Sequence, residues 1–216
     1  MKKQTSKRKW IIAILVIIAV SISTGYYFLF WSKASFDPVF LSSTETQMWQ
    51  AYYNKDKPKL AWLLIQILKR QFSITSYEAA KTGKLLANSA MKFKTAKGGK
   101  YDVALPDLIA AYTAKKKYSA LKYDPEEAAK ADLAWWVDRR NLEKRNNPEI
   151  IGKGITRLYE VIYGYKHPGF DKAGQLRAKA AYLRDQGKDK CDWKKIEQLL
   201  LESYKALQQG IDKKPV

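Results

Sequence analysis

The stretch Trp10–Trp31, "WIIAILVIIAVSISTGYYFLFW", runs for 22 residues without a charge, and the nine residues before it, "MKKQTSKRK", carry five basic side chains and no acid. As a helix rising 1.5 Å per residue, 22 residues reach about 33 Å, the thickness of a bilayer's hydrocarbon core. Trp10, Tyr26, Tyr27 and Trp31 stand near the ends, where amphipathic rings favour the membrane interface. Only Lys33 follows closely on the far side, so the positive-inside bias predicts Met1–Lys9 in the cytoplasm and everything after Trp31 outside it. The alternative is a cleaved signal peptide ending at the small residues Ser21–Ser23. Cleavage there would leave "YYFLFW" as an exposed apolar N-terminus, which favours an uncleaved signal anchor. The expected location is a bacterial inner (cytoplasmic) membrane, crossed once, with the C-terminal domain periplasmic.

Working outward, the expected organisation is a basic cytoplasmic tail (1–9), a transmembrane anchor (10–31), a linker (32–42) and one helical domain (43–213). Within the last, Ser42 with Glu45 and Thr75 with Glu78 have capping-box spacing. "DPEE" (Asp124–Glu127) and "NPE" (Asn147–Glu149) join a capping side chain to a first-turn proline and acids favoured by the helix dipole. Helices are predicted over 43–55, 58–72, 76–95, 106–119, 125–145, 148–163, 169–186 and 193–209. No segment has the two-residue alternation of a strand, and the fold class is all-α, with antiparallel helices. "KLAWLLIQILKRQF" (Lys59–Phe72) is apolar but too short for a second span, and reads as a core helix rather than one resting on a membrane surface.

Forty Lys+Arg against 21 Asp+Glu give a formal charge of +19. Such an excess favours anionic partners, and the topology turns that preference toward lipid headgroups, glycans or acidic proteins and away from nucleic acid. One cysteine, Cys191, excludes an internal disulfide and any multi-cysteine metal site. The single histidine, His167, precedes Pro168 and reads as a helix-start residue. No phosphate loop, haem attachment, HExxH or EF-hand series occurs, so neither a cofactor nor a metal is implied and a non-enzymatic role is expected. A carboxylate site assembled from Glu45, Asp132 and Glu160 is the one catalytic arrangement left open.

Two basic features are candidate binding sites. In "WWVDRR", Trp135 and Trp136 each stand one helical turn before an arginine, Arg139 and Arg140. One reading is a cationic, aromatic-walled patch for a carboxylate or phosphate. The other is architectural: indoles in the core, arginine stems covering them, guanidiniums paired with Glu143. The second feature is the run Lys115, Lys116 and Lys117; "KFKTAKGGK" (Lys92–Lys100) is a further basic cluster, whose "KTAKGGK" portion (Lys94–Lys100) reads as a flexible basic loop.

Near the C-terminus, "AGQLRAKAAYLRDQGKDKCDWKKIEQLLLESYKAL" (Ala173–Leu207) places small residues at Ala173, Ala180 and Ala181, then a turn, then Trp193 and a closing "ESYKAL". This arrangement resembles a tetratricopeptide-type helical hairpin, which implies a protein-binding helical scaffold. An ordinary antiparallel helix pair closing the domain is the alternative. Two functions follow as expectations: an accessory or assembly subunit of a cell-envelope membrane complex, or a binder of anionic envelope lipid or glycan.

Overall fold

The computed structural model describes residues 2–187 and 190–213, with side chains from Trp10 onward; Met1 of the expected tail and Lys188–Asp189 of the expected hairpin turn lie outside this range. The described residues are helical throughout, without strands. Helix α1 (Lys2–Phe30) is followed by α2 (Pro38–Tyr53), α3 (Lys57–Phe72), α4 (Ser76–Thr95), a 3-10 turn at Tyr101–Ala104, α5 (Leu105–Tyr118), α6 (Pro125–Arg140), α7 (Pro148–Tyr163), α8 (Pro168–Gly187) and α9 (Trp193–Asp212).

One stretch of α1, Trp10–Phe30, is the only segment among the described residues long and apolar enough to cross a membrane, and none of it is buried. Its last ring, Phe30, meets the ring of Tyr77 on α4 at 4.9 Å between centroids.

The starts of the later helices follow their capping chemistry. Thr75 and Glu78 close the expected capping box, with Glu78 N donating to Thr75 Oγ1 at 3.3 Å and Thr75 N to Glu78 Oε2 at 2.8 Å. Asp124 caps α6 and Asn147 caps α7, each ahead of a first-turn proline. Two boundaries differ from expectation by five residues, more than any of the others. α2 starts at Pro38 because Asp37 Oδ1 accepts from the amides of Val39 and Phe40, so the helix takes in residues 38–42 of the expected linker. Ser42 and Glu45 are therefore not a capping box; both point into the core from inside α2. α6 stops at Arg140 rather than near 145, because Asn141 Oδ1 accepts from the amides of Glu143 and Lys144 and turns the chain.

Each helix from α2 onward packs on the next, and α9 returns to α2. The connections between consecutive helices are short, as antiparallel neighbours require. One core joins α2, α3, α7, α8 and α9 around Leu41, Ile155, Phe170 and Leu207; another joins α4 to α7 around Phe93, Leu108, Tyr112 and Ile162. Close approach is secured by small residues. A Cβ on Gly154 of α7 would stand 2.8 Å from the Cβ of Trp135, and one on Gly174 of α8 would stand 2.6 Å from the carbonyl of Gly152. Lys59–Phe72 lies within α3 and buries Leu63, Ile67, Leu68 and Phe72, leaving Trp62 exposed.

Candidate functional site

Because sequential helices run in alternate directions, α2, α4, α6 and α8 all end on the side of the domain away from α1. There Trp136 meets Phe93 edge to face at 5.4 Å, and the Tyr101 ring lies tilted 4.8 Å from Phe93 between centroids. The guanidinium carbon of Arg140 lies 4.8 Å from the Phe93 ring centroid, within cation–π range. Two stretches far apart in sequence, "KFKTAKGGK" and "WWVDRR", are thereby joined. Lys94, Lys97 and Lys100 of the first stretch and Arg145, five residues after Arg140, are exposed, and Gly98 and Gly99 turn the loop with positive φ. Lys92 is engaged by Asp107 at 2.7 Å and Lys144 by Asp138 at 2.6 Å. Arg140 makes no ion pair among the described residues, and its charge faces outward over an aromatic floor.

The remaining members of the predicted patch part company with Arg140. Arg139 turns to α8, where Nη2 meets Asp185 Oδ2 at 2.5 Å, and Tyr53 Oη donates to the other oxygen of the same carboxylate at 3.4 Å. Neither arginine pairs with Glu143, contrary to the architectural expectation, because Glu143 has left the helix with the turn at Asn141. Trp135 faces inward and its indole Nε1 donates to Asp132 Oδ1 at 2.8 Å.

Asp132 is buried and also accepts from Tyr112 Oη at 2.8 Å, while Tyr123 Oη donates to the Tyr112 carbonyl at 2.8 Å. Lys115 enters the same interior: it is 4% exposed, and Nζ lies 3.4 Å from the Tyr112 ring centroid. The run of three lysines is thus not one surface patch. Lys116 and Lys117 are exposed, whereas Lys115, one turn after Tyr112, shares its buried face. Burial lowers the Lys115 ammonium to about 8, partly opposed by the Asp132 carboxylate. Burial likewise raises Asp132 above the usual carboxylate range, against the pull of Lys115 and of its two donors.

A second buried centre is the pair Glu45–Arg177. Arg177 approaches the carboxylate with both terminal nitrogens, at 2.5 and 2.6 Å, and Tyr204 Oη donates to Glu45 Oε2 at 2.6 Å. Glu160, the third carboxylate considered, pairs with Arg157 at 3.8 Å. The three acids are held by different partners, which suits an architectural use. His167 Nδ1 accepts from the amide of Gly169 at 3.0 Å and starts α8, as its place before Pro168 predicts.

Sequence reasoning missed the Glu45–Arg177 pair, whose members stand 132 residues apart. It also missed Arg184, which is buried against Tyr53 at 3.4 Å from the ring centroid. No local pattern signals either. Neither a known protein family, nor a curated protein, nor a solved structure matches this chain.

Proposed function

We propose that this is a single-pass inner-membrane protein, Met1–Lys9 cytoplasmic and its helical domain periplasmic, that serves as an accessory or assembly subunit of an envelope membrane complex. In this reading the domain docks an acidic segment of a partner protein on the patch formed by Arg140, Lys94, Lys97, Lys100 and Arg145. The observation that carries it is the exposed guanidinium of Arg140 on the Phe93–Trp136 cluster, an aromatic floor under a cation without a carboxylate partner among the described residues. Arginine over an aromatic ring is typical of the anchoring residues of protein interfaces. The tetratricopeptide-like spacing of α8 and α9 fits the same use. Catalysis has no part in the proposal, and Trp135, Arg139 and Lys115 act in it as supports rather than contacts.

A second reading, in which the patch binds anionic envelope glycan or lipid, is favoured by the acid-free run Lys92–Lys100. Crosslinking in native membranes with a photoreactive residue at Lys97 separates the two. A stoichiometric protein adduct, lost in Arg140→Gln, is expected. Absence of an adduct, together with polyanion binding that collapses as salt rises, refutes the protein-docking reading. Protease added outside spheroplasts is expected to digest the domain. Protection there, with an active cytoplasmic reporter fused at Val216, refutes the topology.

A further inference from the structure

The opposite end of the domain, beside the anchor, contains an open cleft of about 280 Å³. Its walls combine Phe36, Phe72, Leu121 and Ile211 with two cations, Lys33 and Arg70, and one acid, Asp212. Lys33 follows the last residue of α1 by three positions, which an extended chain covers in about 11 Å. Arg70 is under-engaged. Its Nε is buried without a hydrogen-bond partner, its nearest carboxylate, Asp37, is at 4.0 Å, and its guanidinium carbon rests 3.9 Å from the Phe40 ring centroid.

The charge balance decides what the cleft suits. Asp212 in the wall and Asp37, 4.0 Å from Arg70, balance the two cations, so a purely anionic ligand gains little net attraction. A ligand carrying both signs meets a partner for each.

We propose that this cleft holds the headgroup of a phosphatidylethanolamine lipid, its phosphate on Lys33 and Arg70, its primary ammonium donating to Asp212 hydrogen bonds that a trimethylammonium has no N–H to make, and its glycerol region against the apolar wall. The proposal rests on the reading that Trp10–Phe30 spans a bilayer, which brings the cleft to headgroup level.

The test is native mass spectrometry of the full chain in mild detergent, incubated with equal amounts of phosphatidylethanolamine, phosphatidylcholine and phosphatidylglycerol. Wild type is expected to retain phosphatidylethanolamine in preference to both others. Replacing Lys33 and Arg70 together by glutamine is expected to lower that retention about tenfold or more, from the loss of charged hydrogen bonds. Asp212→Asn is expected to abolish the preference over phosphatidylglycerol. Ala120→Trp, at an exposed lining position, narrows the cleft with the cations intact and is expected to reduce retention too, so the result does not depend on the Arg70 variant folding. Equal retention by wild type and the Ala120→Trp variant, or no order among the three headgroups, overturns the proposal. Alkaline extraction of the same membranes reads the anchor separately: release of the chain refutes the spanning reading whatever the lipid result.

Discussion

Lys115 offers a test of the interior through pH. A lysine ordinarily titrates at 10.5, and burial brings this one to about 8. Between those values the unfolded chain binds a proton that the folded chain has released, so stability rises with pH across the window. Below about 8 both states are protonated and the folded state carries the full cost of a buried ammonium, about 3 kcal/mol at roughly 1.4 kcal/mol per pH unit. Linkage then gives a gain of about 2 kcal/mol between about pH 7.5 and about pH 9.5. The perturbation is Lys115→Met, which keeps an unbranched stem beside Tyr112 and Phe72 and removes the titration. Denaturant melts of the solubilised full chain, followed by far-UV circular dichroism, measure wild type and variant across the range. Tyrosines and lysines remote from Lys115 titrate alike in both proteins and cancel in the difference. Wild type is expected to gain on the variant by the amount above. If the two traces stay parallel to within about half a kcal/mol, the ammonium is not held in the low-dielectric interior as described.

Two further predictions concern packing. Arg177→Met strands the buried Glu45 carboxylate and is expected to cost about 3–5 kcal/mol, whereas the double change Glu45→Leu with Arg177→Met recovers most of that, since a buried pair is often replaceable by apolar volume; chemical melts of both variants check it. Gly154→Ala drives a methyl against Trp135 and is expected to destabilise by about 1–3 kcal/mol, while Gly83→Ala, whose Cβ meets Leu64 at an ordinary 3.5 Å, is expected to stabilise α4 by about 0.5–1 kcal/mol. Equal thermal shifts for the two alanines would contradict the packing of α6 on α7.

Helix starts were legible because they are written in adjacent residues: Thr75 with Glu78, Asp124 with Pro125, and Asn147 with Pro148 each carry their own cap. Ser42 with Glu45 has the same local pattern and a different fate, because Arg177 and Tyr204 claim the glutamate from 132 and 159 residues away. The same limit applied to the basic clusters. Three successive lysines read alike in sequence, yet helical rotation sends Lys115 inward and leaves its two neighbours in solvent. Arg139 and Arg140 diverge for the same reason, one toward Asp185 and one over Phe93. That "KFKTAKGGK" and "WWVDRR" form one surface depended on α4 and α6 ending side by side, which spacing within either stretch could not reveal.

The contact between Phe30 and Tyr77 ties the start of α4 to the end of α1. Tyr77 opens α4 beside the end of α1, and Phe93 lies sixteen residues further along the same helix, about 24 Å at 1.5 Å per residue. With α1 in a bilayer, as proposed, α4 is the strut that holds Arg140 off the lipid surface by up to that length. In the docking reading a partner rooted in the same membrane then has to offer its acidic segment at that remove, and one whose acidic segment lies flush with the lipid surface does not reach the patch however well its charges match.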